Sequence, residues 1–128
     1  MSSTKKKITE VKDACEFLGT SLEEITPYPN PKNDRQKAVN SFEHAIVVIE
    51  ALNQGRVPDY DTNERKWELW WNMRSPAAGG PGFSLFYVRC RCSVSGVGAR
   101  LVFIEKQDAE YFAEHFKHLF EGFMVVKK

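Results

Sequence analysis

A chain of 128 residues with 18 basic and 17 acidic side chains and a formal charge of +1 is long enough for one core of ordinary size. It carries no overall field to steer it to nucleic acid, anionic lipid or an acidic partner, so any charged site must be local. Its longest apolar run is far short of the roughly 18 residues that span a bilayer, the start MSSTKKK lacks the apolar segment of a secretory signal, and three cysteines, two of them one residue apart, do not build a disulfide framework; the expectation is a cytoplasmic protein with reduced thiols and no membrane contact.

Residues 1–8 read as a basic polar tail and residues 9–128 as a single α+β domain. Thr9 is placed to cap a short helix in which Val11, Ala14, Cys15 and Leu18 recur at helical spacing, with Gly19 at its left-handed end. Ser21 and Glu24 form a capping box around one further turn, closed by Pro27. PYPNPKND is an extended connector leading to Asp34, a candidate N-cap. From Arg35 to about Gln54 runs the strongest helical pattern, with Ala38, Val39, Phe42, Ala45, Ile46, Ile49 and Leu52 on one stripe that Val47 and Val48 widen. Gly55 ends it, and GRVPDYDTNE follows as a solvent loop.

The next segment predicts three strands. In the first, Trp67, Leu69, Trp71 and Met73 alternate with Glu68, Trp70, Asn72 and Arg74. SPAAGGPG interrupts the sheet as a loop. In the second strand Phe86, Val88, Cys90 and Cys92 share one face, and Phe83, Leu85, Tyr87, Arg89 and Arg91 share the other. SVSGVG turns the chain into ARLVFIE, a third strand with Leu101 and Phe103 opposed to Arg100, Val102 and Ile104. Asp108 then caps a last helix, ended by Gly122, whose Phe112, Phe116, Leu119, Phe120 and Phe123 form an aromatic stripe for the sheet. The expected fold is therefore α+β: a helical N-terminal half, a three-stranded antiparallel β-meander and a C-terminal helix packed on the sheet.

Several blocks carry a resemblance. DACEFLG, AIVVIEALNQGRVPDYDTNERKWELWWNM, SVSGVGARLVF and ARLVFIEKQDAEYFAEHFKHLFEGFMV, in that order from Val11 to Val125, resemble a family of small proteins of phages and prophages of gut Bacteroidales. The resemblance implies a setting, phage infection inside a bacterial host cell, and supplies no catalytic residue or cofactor. The loop between the first two strands and the YVRCRC stretch depart from the family, whose members tend to carry tyrosines and serines in the latter.

Five chemistries can be weighed on the residues. Zinc could be sought at Cys90, Cys92, His115 and His118, but a C-x-C on a strand spreads its sulfurs and the histidines adjoin the aromatic stripe; no metal or other cofactor is expected. Trp70, Phe83, Tyr87, Arg89, Arg91 and Arg100 interleave rings and guanidinium groups in the way single-stranded nucleic-acid binders do, against the plainer reading that the arginines pair with Glu64, Glu68 or Glu105. The glycine loops SPAAGGPG and SVSGVG could present amides to a nucleotide, although neither matches a phosphate-binding motif. Catalysis has no motif to rest on, since Cys15 and His44 would have to meet by chance, and the chain is read as no enzyme. Three tryptophans within five residues and two apolar strand faces exceed what one small core covers. The function expected from the sequence is therefore a non-enzymatic accessory protein that binds another protein and self-associates, with single-stranded nucleic-acid binding and small-ligand sequestration as alternatives.

Overall fold

The computed structural model describes residues 8–127. Of the expected tail 1–8, residues Met1 to Lys7 lie outside the described residues, and Ile8 is buried and so belongs to the fold. Two compact units make up the chain: residues up to Arg56 together with those from His118 onward, and residues Val57–Lys117.

The first unit is helical. Helix α1 spans Val11–Leu18 and helix α2 spans Asp34–Leu52. The first turn of α1 is closed by a reciprocal capping box between Glu10 and Asp13, and the Thr9 hydroxyl bonds to Asp13 instead of capping the helix. Gly19 ends α1 with φ 77°, a left-handed conformation that a Cβ would strain. The Ser21–Glu24 box is formed, with each backbone N–H donating to the other residue's side chain, and it encloses a turn without a helix. The N-cap of α2 is Asn33, whose Oδ1 accepts from Gln36 N–H at 2.9 Å, so Asp34 is the first helical residue. Ala45, Ile49 and Leu52 of the expected stripe are buried, Val47 and Val48 widen it as expected and Ala51 joins them, while Ala38 and Ile46 are half-buried. Val39 and Phe42 are left partly exposed, with Phe42 edge-on to Phe123 at 5.2 Å.

The second unit is built on a hairpin. Strand β1, Lys66–Asn72, pairs antiparallel with β2, Ser84–Arg91, and helix α3, Lys106–His115, packs against both strands. Phe112 of α3 lies against Phe103 with ring centroids 5.5 Å apart. Lys106 Nζ sits 5.7 Å from the centre of the Trp67 ring.

Although the class is α+β as predicted, among the described residues the expected three-stranded meander is not formed and the sheet has two strands. Where the third was expected, Gly98 has φ 82° and Ala99–Leu101 form a 3-10 turn. Phe103 then makes one bridge to Trp67, with N–H···O distances of 2.8 and 2.9 Å, before Glu105 opens α3. Between this positive-φ glycine and the helix cap too little extended chain remains for a ladder. Leu101, Val102 and Phe103 are all buried, where a strand with one wet face would alternate. The last helix also differs from expectation. Its N-cap is Glu105, Asp108 lies buried inside its first turn, and it breaks at Phe116 (φ −127°), after which helix α4 runs over Lys117–Met124. Gly122 lies within α4 and does not end it. A Cβ there would collide with Ser41 of α2, so the glycine serves close helix approach.

Candidate functional site: the outer face of the hairpin

Two directly opposed residues of an antiparallel pair share a face. Trp67, Leu69 and Trp71 of β1 lie opposite Cys90, Val88 and Leu85 of β2; Lys66, Glu68 and Trp70 lie opposite Arg91, Arg89 and Tyr87. The step from Trp70↔Tyr87 to Trp71↔Leu85 leaves Phe86 without an opposite number, which is a β-bulge.

The bulge re-sorts the side chains. In an unbroken strand Phe83, Leu85 and Tyr87 would share one face and Phe86 the other. Beyond the bulge Leu85 instead opposes Trp71, and the Phe83 ring stacks on Trp71 at 4.8 Å. Phe86 is turned beside Tyr87, with ring centroids 5.0 Å apart at 81°, and Tyr87 lies 6.2 Å from Trp70. Neighbouring residues of a regular strand point apart, so this contact is the bulge's doing. Trp70 is 41% exposed, Tyr87 40% and Phe86 63%. Three rings thus line one open surface.

Arg89 completes it. Its guanidinium lies 4.9 Å from the Trp70 ring centre and donates to Tyr87 Oη at 3.1 Å. The carboxylate opposite, Glu68, turns elsewhere: it is 1% exposed and accepts from Ser95 Oγ and from the Gly96 N–H. Glu64 accepts from the Asp59 N–H. These two carboxylates therefore serve the loops and leave the arginine to the aromatic surface. Arg91, at the end of the strand, donates to the Cys90 carbonyl. Along residues 69–104 the chain carries four arginines and no aspartate, glutamate or lysine.

Lys66 and Glu68 occupy the same face as Trp70, yet both are buried. Lys66 Nζ donates to the Asp59 carbonyl and lies 4.2 Å from the centre of the Tyr60 ring. Ser95 Oγ, besides donating to Glu68, accepts from the N–H groups of Val97 and Gly98. One half of the face is therefore a covered polar cluster that holds two loops; the other half is the open aromatic surface. Burial pushes the Tyr60 phenol up, and the nearby Glu68 charge adds to this while Ser95 opposes it.

Of the six expected site residues, Trp70, Tyr87 and Arg89 converge. Arg91 lies two residues along the same face, Phe83 is moved to the opposite one, and Arg100 is exposed on the 3-10 turn. Phe86 is the member that strand alternation assigns to the wrong side. The glycine loops have their amides committed: Gly80 and Gly82 N–H donate to Ser75 and Arg74 carbonyls, each at 2.9 Å, and Gly96, Val97 and Gly98 donate to Glu68 and Ser95. A phosphate would find those donors taken. Cys15 is buried, and burial pushes its thiol up, away from nucleophilic thiolate. His44 Nε2 is 2.9 Å from Thr26 Oγ1. Among the described residues no group of three or more His, Cys, Asp or Glu could hold a metal ion, and no helix is long and apolar enough to cross a membrane. Comparisons with known protein families, with curated proteins and with solved structures found no match to this chain.

Proposed function

We propose that this chain is a non-enzymatic accessory protein of phage or prophage origin that works in the cytoplasm of its bacterial host by binding a partner macromolecule through the outer face of the hairpin. The observation that carries this reading is the bulge at Phe86, which adds the most exposed ring of β2 to Trp70 and Tyr87. Burying a ring of this size is worth about 1.5–3 kcal/mol, and a regular strand would have sent Phe86 to the other face. Bulges recur where a strand must re-aim a side chain toward a site.

Trp, Tyr and Arg dominate the energetics of protein interfaces, so the face suits a protein, and stacked rings with a cation suit unpaired bases equally. A second copy is the partner it suits least. Two such faces packed together would set Arg89 and Arg91 against their equals, and like charges at an interface cost several kcal/mol, roughly.

The test is native mass spectrometry of the protein purified from its own host, wild type beside Trp70→Ala and Phe86→Ala. The expected result is a bound macromolecule that the wild type retains and both variants lose. Retention by the variants, or wild-type protein that never carries a partner, would overturn the reading.

A further inference from the structure

Resting on that binding reading, we infer that the partner is single-stranded nucleic acid, held by base stacking on Trp70, Tyr87 and Phe86 with phosphates drawn to Arg89 and Arg91. Charge complementarity is the first argument. The chain as a whole is nearly neutral, but residues 69–104 carry four arginines and no aspartate, glutamate or lysine, and two of those arginines, Arg89 and Arg91, lie on the strand face with Trp70. The carboxylate opposite Arg89 is buried and taken up by Ser95 and Gly96. An anionic ligand therefore meets no repelling group along this stretch of chain.

Ring geometry is the second argument. Stacking needs ring faces that a flat, unpaired base can reach, and duplex bases are shut away from such contact. Trp70 and Tyr87 are tilted by 33° to each other with centroids 6.2 Å apart, and Phe86 stands at 81° to Tyr87. These are separate platforms for successive bases. Arg89 over Trp70 adds a planar cation that stacks as readily as a ring does and lies beside the path of the backbone. Beyond the loops that cover Lys66 and Glu68, the ring-bearing half of the face is an exposed strand surface, which fits a running chain better than a small molecule.

The experiment is fluorescence anisotropy with oligothymidylate and oligouridylate of about 15 nucleotides, and with a duplex of equal length, on the full chain. Single strands are expected to bind and duplex to bind much less. Two phosphate contacts give a salt slope of about −1.4, so affinity should fall roughly sevenfold between about 50 and 200 mM salt, with the slope halved in Arg89→Ala. Trp70→Ala and Phe86→Ala should each weaken binding roughly tenfold. Leu85→Ala, on the opposite face, should leave it unchanged. No binding of either oligonucleotide in low salt, equal binding of duplex, or binding indifferent to Trp70 and Phe86 would overturn the inference. A protein held by the wild type and released by Phe86→Ala, with no oligonucleotide bound, would also overturn it while leaving the binding face itself intact. Urea midpoints near the wild-type value for Phe86→Ala and Leu85→Ala establish that the folded face is being compared.

Discussion

Trp70 and Trp71 are neighbours in sequence and opposites in circumstance. Trp71 is buried and stacked on Phe83 at 4.8 Å. Trp70 stands in the open, with a guanidinium over its ring and Tyr87 beside it. The same contrast divides the two faces of the hairpin. On one, Leu69 and Trp71 are buried and Trp67 makes the bridge to Phe103, so the rings serve the fold. On the other, burial is reserved for Lys66 and Glu68, which tie down loops, while the rings are left outside. Stability alone would favour the reverse arrangement, because exposed rings contribute little and buried charges are costly to desolvate. The inversion is the arrangement that the proposed binding role of the outer face requires.

Substitutions should divide along the same line. The largest effect belongs to the covered side: Phe112→Ala removes a ring that is fully buried against Phe103 and Phe116 and should cost about 3–5 kcal/mol in urea unfolding. A midpoint near that of the wild type would break the division. Next comes the covered polar half of the outer face. Glu68→Ala leaves the Ser95 hydroxyl and the Gly96 N–H without their acceptor and should cost about 1–3 kcal/mol, with Glu68→Gln costing less because an amide oxygen still accepts. Equal losses in the two variants would show that charge, not the accepted hydrogen bonds, holds the loop.

At the open end, Phe86→Ala should change stability by no more than about 0.5 kcal/mol, as expected for a ring 63% exposed. A large loss would mean that Phe86 is part of the core. The last effect lies in the helical unit and is linked to pH. Burial holds His44 below the ordinary histidine range, with His118 adding to this and Glu43 opposing it. Its neutral form is favoured in the folded state, so its contribution is fully present above the unfolded pKa of about 6.5 and is lost as pH falls from there through the folded pKa. His44→Gln should flatten that part of the stability profile, measured as urea midpoints across the range; an unchanged slope would place the titration elsewhere.

Much of this was legible in the sequence, for identifiable reasons. The helical stripe from Ala45 to Leu52, Gly19 at the end of α1 and the Ser21–Glu24 box are local patterns in which spacing and chemistry agree. So were the two hairpin strands and three residues that the candidate site brings together: Trp70, Tyr87 and Arg89. What escaped has no local mark. Ser84 to Val88 contains neither glycine nor proline, so nothing distinguishes a bulge at Phe86 from regular alternation, and one extra residue reverses the assignment of every side chain beyond it. Lys66 and Glu68 look like solvent positions on a mixed strand; their burial depends on Tyr60 and Ser95, which come from separate loops. The segment ARLVFIE has the composition of a strand, but the positive-φ Gly98 before it and the helix cap after it leave room for one bridge. The break at Phe116 likewise carries no glycine or proline to announce it.

The bulge places Phe86, and not Leu85 or Phe83, on the face of Trp70 and Tyr87. The direct test is a set of nuclear Overhauser contacts among assigned aromatic side chains in the free protein. Ring-to-ring contacts are expected between Phe86 and Tyr87 and between Phe83 and Trp71, whose centroids lie 5.0 and 4.8 Å apart. Contacts from the Leu85 methyl groups or the Phe83 ring to Trp70, with none between Phe86 and Tyr87, would show an unbulged strand and contradict this placement.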